Sequence, residues 1–251
     1  MSTRASGDAA SGVEAGVGTE PALLELRGVR AAYDGINVLH GVDLVVRAGQ
    51  VVAVLGPNGA GKTTTLRVAA GLHPASRGDV LVAGRRVNGA SPDDLARCGL
   101  CLIPEGRGVF PNLTVQENLW MMTYGGTSLR KVEEIAYERF PRLRDRRRQT
   151  AGTLSGGEQQ MLALARGLAT DPALLILDEL SMGLAPLVVE ELFGLVSQVA
   201  AAGVAILVVE QFASIVLDVA DQVALMINGR IVRSGRPSEI ADSLSEAYLG
   251  G

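Results

Sequence analysis

The sequence predicts an α/β fold in which a mixed, mainly parallel β-sheet is covered by helices on both faces. Short uninterrupted apolar runs recur along the chain and alternate with glycine turns or helical patterns. Such runs are typical of strands that are buried on both faces. The segment from about residue 105 to residue 155 carries helix-start signals but no strand pattern, which indicates a helical insertion. With 251 residues, 47% of them hydrophobic, the chain can form one large domain with an inserted subdomain.

The predicted strands follow from these apolar runs. In chain order they are Leu23–Leu26, Val42–Val46, Val51–Leu55, Leu100–Ile103, Ala173–Leu177 and Ala205–Val209. Near the C-terminus, Val223–Ile227 and Ile231–Val232 flank Asn228-Gly229, a pair typical of a tight hairpin turn.

Three helix starts are marked by a hydroxyl residue that is followed three positions later by an acid. Ser91, Thr114 and Ser155 occupy the first position, where a side-chain oxygen can accept a hydrogen bond from the helix N-terminus. The last of these precedes a helical pattern over Gln159–Leu168.

Composition and charge exclude several classes of protein. Acids outnumber bases 27 to 23, so a protein that mainly coats nucleic acid is not expected. Two cysteines rule out a disulfide scaffold, and we expect Cys98 and Cys101 to be two buried thiols. The six arginines of Arg139–Arg148 predict a solvated helical face, with proximity to anionic headgroups as a second interpretation.

No targeting or membrane segment is predicted, so we expect a soluble, cytosolic chain. Residues 1–20 are small and polar, and they predict a flexible tail rather than a secretory signal. The longest uncharged stretch, Leu192–Val209, is interrupted by Gly203 and becomes β-branched after it. This pattern predicts a helix end, a turn and a buried strand rather than a membrane span.

The strongest local signal is a phosphate-binding loop. Gly56–Thr63 matches the pattern G-x-x-x-x-G-K-[ST] directly after the predicted strand Val51–Leu55. In such a loop the backbone N–H groups surround an anion, the lysine reaches the β- and γ-phosphates, and the threonine hydroxyl ligates Mg²⁺. The residues predicted to hold the phosphates are Gly56, Pro57, Asn58, Gly59, Ala60, Gly61, Lys62, Thr63 and Thr64.

A pair of acids follows a second predicted strand. Asp178 and Glu179 come directly after the apolar run Leu174–Leu177. A phosphoryl-transfer site needs a carboxylate at a strand end to hold Mg²⁺ and a group to orient the attacking water. We therefore assign Asp178 to the metal and Glu179 to the water.

The run Leu154–Gln159 resembles the signature sequence of ABC ATPases, and the order of phosphate loop, signature and acidic strand end matches too. The resemblance extends over about Leu23–Gly235. It implies a P-loop NTPase (RecA-like) core with a mixed sheet, an antiparallel β subdomain and an inserted helical subdomain at about 105–155. The implied domains are a tail at 1–20 and an ABC ATPase domain at 21–251, with ATP and Mg²⁺ as ligands.

The resemblance also implies a composite site. In ABC ATPases the phosphate loop of one subunit faces the signature of the other, so Ser155, Gly156, Gly157 and Glu158 are predicted to contact the partner's ATP. These residues open a helix, whose N-terminus is itself suited to bind an anion. Tyr33 matches the aromatic residue that stacks on adenine in this family.

Two positions depart from the family pattern. Glu105 stands where many members have glutamine, and Gln211 stands where most have a switch histidine. Gln211 can hydrogen-bond a γ-phosphate oxygen, but it cannot carry a charge. Glu105 joins Thr63 and Asp178 as a candidate Mg²⁺ ligand, while Glu179 and Gln211 are the predicted catalytic residues.

These departures narrow the resemblance to the LivF-type ATPase subunit of branched-chain amino-acid importers. The segments that carry the resemblance include Pro104–Arg107, Gly183–Pro186 and Val209–Gln211. The resemblance implies a second ABC ATPase subunit, in a heterodimer or alternatively a homodimer. It also implies two membrane permease subunits, indirectly a solute-binding protein, and a peripheral position on the cytoplasmic face of the inner membrane.

Three alternatives stay open from the residues. The first is an importer ATPase for urea or amides, and the second is a soluble ABC ATPase that serves no transporter. The third is a module that holds ATP and barely hydrolyses it, because Gln211 replaces the histidine.

Overall fold

The computed structural model describes residues 22–106, 108–211 and 216–240. Its strands are, in chain order, β1 (Ala22–Tyr33), β2 (Ile36–Arg47), β3 (Val51–Leu55), β4 (Arg77–Val82), β5 (Arg85–Arg86), β6 (Leu100–Ile103), β7 (Leu174–Asp178), β8 (Ala205–Glu210), β9 (Gln222–Ile227) and β10 (Arg230–Gly235). They form an antiparallel sheet of order β2-β1-β4-β5 and a sheet of order β10-β9-β3-β8-β7-β6. The predicted α/β class with a mixed sheet is confirmed. The predicted tail at 1–20 lies outside the described residues.

The helices connect these strands. They are α1 (Lys62–Ala69), α2 (Pro92–Arg97), α3 (Val115–Trp120), α4 (Leu129–Arg139), α5 (Pro141–Asp145), α6 (Gly156–Leu168) and α7 (Pro186–Ala201). Ser91, Thr114 and Ser155 are the N-caps of α2, α3 and α6, as predicted, and each forms a reciprocal capping box with the acid three residues later.

The larger sheet lies between two hydrophobic cores. Strand β3 pairs in parallel with β8 and β9, and only β10 runs antiparallel to its neighbour in this sheet. Alternate residues of β3 enter opposite cores: Val51, Ala53 and Leu55 pack on the side of α6 and α7, and Val52 and Val54 pack on the side of α1. Because both faces are covered, the strand reads as a continuous apolar run.

The antiparallel sheet was only partly predicted. The expected strand Leu23–Leu26 is the start of β1, which continues to Tyr33 through several register shifts. Strands β4 and β5 were missed because Arg77-Gly78-Asp79 and Arg85-Arg86 carry no strand pattern, and most of these residues lie near the surface.

The segment predicted as a helical insertion contains α3, α4, α5 and two 3-10 turns, at Met121–Gly125 and Ala151–Thr153. Its described residues contribute no strand to either sheet, apart from an isolated bridge between Thr114 and Thr150. Val115, Leu119 and other side chains of these helices are fully buried and join the core on the α6 side. The division into subdomains stays a prediction.

Leu192–Val209 contains the end of α7, a turn and β8, as predicted. In the part of the chain that the structure covers, every helix is too short or too polar to cross a bilayer.

The prediction of two buried thiols is wrong for Cys98. Its side chain is exposed at the end of α2, whereas Cys101 in β6 is half-buried. Leu95 is the only buried residue that α2 contributes, so this short helix lies on the surface and leaves its last turn in solvent.

Candidate functional site

The predicted phosphate loop lies between the carboxyl end of β3 and the first turn of α1. A Cβ at Gly56 would overlap the carbonyl oxygen of Met226, so only glycine fits there. Gly59 and Gly61 have φ of +79° and +104°, a region that favours glycine. Gly61 is the N-cap of α1. The loop therefore turns sharply into a helix N-terminus, which is the geometry that receives a phosphate.

Lys62 places its charge inside this loop. Its side chain is 4% exposed, and Nζ donates to the carbonyl oxygens of Gly56 at 2.9 Å and Pro57 at 3.2 Å. Burial lowers the pKa of Lys62, and the nearby carboxylates of Glu179 and Asp178 oppose that shift. An anion that enters the loop would therefore replace these carbonyl oxygens as the acceptor for the Lys62 ammonium group.

The other loop residues differ in exposure. Asn58 is exposed at the tip of the loop, while Ala60 and Thr64 are buried. The carbonyl oxygen of Ala60 accepts a hydrogen bond from the backbone N–H of Gly229 at 2.8 Å, in the turn between β9 and β10. The hairpin of β9 and β10 is thus hydrogen-bonded to the phosphate loop.

Oxygen ligands for a cation meet beside this loop. The Thr63 hydroxyl faces the carboxylate of Asp178, with 3.5 Å between Oγ1 and Oδ1. The pKa of Asp178 is raised to about 6, first by burial and then by the negative charges of Glu179 and Glu105. Hydroxyl and carboxylate oxygens are the ligands that Mg²⁺ prefers, usually together with substrate phosphates. Across the described residues, no group of three His, Cys, Asp or Glu side chains is placed to hold a metal.

Glu179 stands at the tip of β7 in a strained conformation. Its φ of +49° is unusual for a residue with a side chain. Its backbone N–H donates to the carbonyl oxygen of Val209 at 3.0 Å, at the end of the neighbouring strand β8. Glu179 and Glu105 line a common cavity of about 400 Å³, together with Gly106, Gln159, Gln160, Met182 and Gly183. The lining of this cavity therefore contains two carboxylates.

The predicted signature forms the N-terminus of α6. Ser155 Oγ accepts from the backbone N–H of Glu158 at 3.3 Å, and Glu158 Oε2 accepts from the backbone N–H and the hydroxyl of Ser155, both at 2.9 Å. A Cβ at Gly157 would overlap the side chain of Val188, so glycine lets α6 and α7 pack closely. Gly156 is the first residue of the helix. Across the described ranges, no hydrogen bond or ion pair joins Ser155–Glu158 to the phosphate loop.

Comparison with known proteins decides the family. The sequence model of the ABC transporter family matches residues 39–181, more than half of the chain. The chain belongs to the ABC transporter family. It is an ABC ATPase, and its three predicted sequence signals occur in the order of that family.

Relatives and solved structures agree with this assignment. The high-affinity branched-chain amino acid transport ATP-binding protein BraG of Pseudomonas aeruginosa is 39% identical over 91% of this chain and 100% of its own length. A probable branched-chain amino acid transport ATP-binding protein LivF of Archaeoglobus fulgidus is 34% identical over 85% of this chain and 92% of its own. The ADP conformation of MJ1267, an ATP-binding cassette of an ABC transporter, superposes with a TM-score of 0.82 at 27% identity, covering 92% of this chain and 99% of that one.

Tyr33, the candidate adenine platform of this ABC ATPase, stacks on His73. The ring centroids lie 4.1 Å apart at an interplanar angle of 23°. His73 Nε2 also lies 3.1 Å from the carbonyl oxygen of Ala32. One face of Tyr33 is therefore covered, and a base would have to stack on the other. The sequence offered no signal for His73, because it lies forty residues further along the chain.

Gln211, at the switch position of the ABC ATPase, follows the end of β8 and is half-buried. The residue before it was not predicted as functional. Glu210 is 1% exposed, and its carboxylate accepts from the backbone N–H of Ser181 at 2.9 Å and from the Ser181 hydroxyl at 2.7 Å. Burial raises the pKa of Glu210, and the Ser181 hydrogen bonds oppose the shift. This contact ties the switch segment to the loop that follows Glu179.

Proposed function

We propose that this chain is the ATP-hydrolysing subunit that energises an importer for branched-chain or related amino acids. One observation carries the proposal: the similarity to BraG spans 91% of this chain and the whole of that protein. The sequence segments Pro104–Arg107, Gly183–Pro186 and Val209–Gln211, which resemble the LivF type, point the same way.

The proposed roles in hydrolysis follow from position. Lys62 and the backbone of the phosphate loop would bind the β- and γ-phosphates, and Thr63 and Asp178 would hold Mg²⁺. Glu105, whose charge acts on Asp178, is a further candidate ligand. When bound, Mg²⁺ neutralises charge on the phosphate oxygens. Glu179 would accept a proton from the attacking water in the cavity that it lines.

Gln211 would steady the terminal phosphate through its amide. Because glutamine cannot become cationic, it supplies less stabilisation of developing negative charge than a protonated histidine would. Slow hydrolysis at the site that contains Gln211 is therefore part of the proposal. A chain that binds ATP tightly but turns over slowly by itself would fit a pair of unequal sites.

The proposed partner at the nucleotide is a second ABC ATPase subunit. The phosphate loop and the Ser155–Glu158 helix tip make no direct bond with each other, and each suits an anion. Two subunits in head-to-tail arrangement would join each loop to the other's helix tip around ATP. We favour a heterodimer with two unequal sites, and a homodimer is the alternative.

The proposed partner at the membrane is a pair of permease subunits, docked near Glu105–Leu119 on the cytoplasmic face. Phe110 is 43% exposed, and the guanidinium of Arg166 lies 4.7 Å above its ring. The backbone of Phe110 is fixed by Asn118, whose side chain accepts from its N–H at 2.8 Å and donates to its carbonyl oxygen at 3.0 Å. An exposed ring held this firmly, with half-buried Leu113 close by in sequence, fits a contact for a permease helix.

Reconstitution tests the proposal. The chain would be co-expressed with a candidate second ATPase, permease pair and binding protein from the same genome, and the complex would be purified and placed in liposomes. We expect ATP-dependent uptake of labelled leucine, isoleucine or valine, and no uptake when Lys62→Ala replaces the wild-type chain. Uptake of urea or amides alone would replace the proposed solute. If the purified chain instead brings down ribosomes or DNA and no membrane protein, the transport function is overturned.

A further inference from the structure

An ion pair between a nearly buried carboxylate and a partly exposed guanidinium lies at the tip of the signature helix. Arg146 Nε is 2.8 Å from Glu158 Oε1, and the two side chains are 45% and 10% exposed. Arg146 Nη1 also donates to Gln149 Oε1 at 3.1 Å, and Gln149 Nε2 donates to the backbone and hydroxyl oxygens of Thr153. The guanidinium is therefore held in one orientation by groups on either side of it.

Glu158 presents an electrostatic problem for the proposed composite site. Its carboxylate stabilises the α6 N-terminus by accepting two hydrogen bonds from Ser155. The same negative charge lies 2.9 Å from the hydroxyl that should meet the partner's phosphate. Because Glu158 is nearly buried, solvent screens its charge poorly, so a phosphate approaching Ser155 would be repelled.

We propose that Arg146 is a positioning residue that neutralises Glu158, so that the Ser155 helix tip can accept the terminal phosphate of ATP bound to the partner ATPase. This inference rests on the composite site of the proposed function. It gives a role to one residue of the arginine-rich segment Arg139–Arg148, which otherwise reads as a solvated surface.

The neighbouring arginines do not share this role. Arg147 and Arg148 are exposed, and neither forms an ion pair within the described ranges. Arg142 pairs with Glu191 at 3.2 Å, on the exposed surface of α7. Arg148 is therefore a matched control, since it carries the same charge close by but does not touch Glu158.

The test compares four variants in a Glu179→Gln background, which slows loss of bound ATP: Arg146→Gln, Arg148→Gln, Glu158→Gln and the double variant Arg146→Gln/Glu158→Gln. Glutamine at position 158 keeps the capping box, so this helix start stays formed. Mg²⁺-ATP-dependent association is measured by light scattering, for the chain alone and mixed with its partner ATPase. Binding of a fluorescent ATP analogue to the separate subunit reports on the phosphate loop.

Arg146→Gln should raise the ATP concentration needed for half-maximal association by about tenfold, because the nearly buried Glu158 carboxylate then loses its partner. Arg148→Gln should leave it unchanged. The double variant should recover to within about twofold of the parent, because neither charge then remains. Analogue binding should stay the same in all variants.

Each other outcome overturns the inference. Normal association of Arg146→Gln would show that Glu158 needs no neutralisation. Failure of the double variant to recover would show that Arg146 acts by packing rather than by charge, and a parallel loss of analogue binding would show an effect on the fold. The Glu179→Gln parent itself is expected to form dimers when Mg²⁺-ATP is added. If it forms none, either alone or mixed with the partner ATPase, the composite site of the proposed function fails together with this inference.

Discussion

Replacing Ser181 by alanine tests the contact between the switch segment and the loop after Glu179. The substitution removes the hydroxyl that donates to Glu210 at 2.7 Å, and leaves the backbone hydrogen bond at 2.9 Å in place. Because Glu210 is 1% exposed, water cannot replace the lost donor. A hydrogen bond to a buried charged group contributes about 1.5–3 kcal/mol, so the free energy of unfolding should fall by about that amount.

The loss should depend on pH. Burial raises the pKa of Glu210 and the Ser181 hydroxyl opposes that shift, so the pKa of Glu210 should rise further in Ser181→Ala. The hydroxyl stabilises the ionised form, and its contribution is therefore present above the pKa of Glu210 and is lost as the pH falls below it. We expect a larger loss at pH 8 than at pH 5.

Urea unfolding of the nucleotide-free chain, followed by circular dichroism at both pH values, measures this difference. Ser197→Ala is the control, because Ser197 is exposed on α7. A loss below about 0.5 kcal/mol at pH 8, or a loss of equal size at both pH values, would refute the reasoning. In a Glu210→Gln background the effect of Ser181→Ala should shrink, since no charge remains to be stabilised.

Four further predictions concern three residues of the proposed nucleotide site. Glu179→Gln should lower ATP turnover by about 10²–10⁴-fold and trap a nucleotide-bound dimer, whereas undiminished turnover would exclude Glu179 as the base. Since the pKa of Asp178 is raised to about 6, the Mg²⁺ dependence of ATP binding should weaken below that pH. By the same linkage, the nucleotide-free chain should lose stability as the pH rises from about 4 to 6, and Asp178→Asn should make that slope shallower in urea titrations. Gly157→Ala should weaken ATP-dependent association because the added Cβ would overlap Val188. Adding Val188→Ala in a double variant should restore association. A double variant that associates no better than Gly157→Ala would contradict the steric cause.

The sequence predicts best those elements whose environment is uniform. The bounds of β3 and β6 match the prediction to the residue because both are continuous apolar runs, β3 in the middle of the larger sheet and β6 at its edge. The start of β4 and the whole of β5 carry arginine, glycine and aspartate near the surface, and their own pattern does not reveal that β4 pairs with β1 and β5 pairs with β4. The extension of β1 to Tyr33 depends on register shifts that no periodicity reveals.

The same distinction holds at the candidate site. The phosphate loop, Asp178-Glu179 and the signature are each contiguous in sequence, so their chemistry can be inferred from neighbours along the chain. The pairs Ser181–Glu210 and Arg146–Glu158, and the stack of Tyr33 on His73, join residues 12 to 40 positions apart (158 − 146 and 73 − 33). Such contacts depend on how loops pack at the ends of strands, and a single sequence does not specify that packing.

A structure of the Glu179→Gln chain with its partner ATPase and Mg²⁺-ATP would address the two-subunit nucleotide site most directly. We expect Ser155 Oγ within about 3 Å of a terminal phosphate oxygen whose other side is held by the opposing Gly56–Thr63 loop. A nucleotide-bound complex in which Ser155 faces solvent at every subunit boundary would contradict the account.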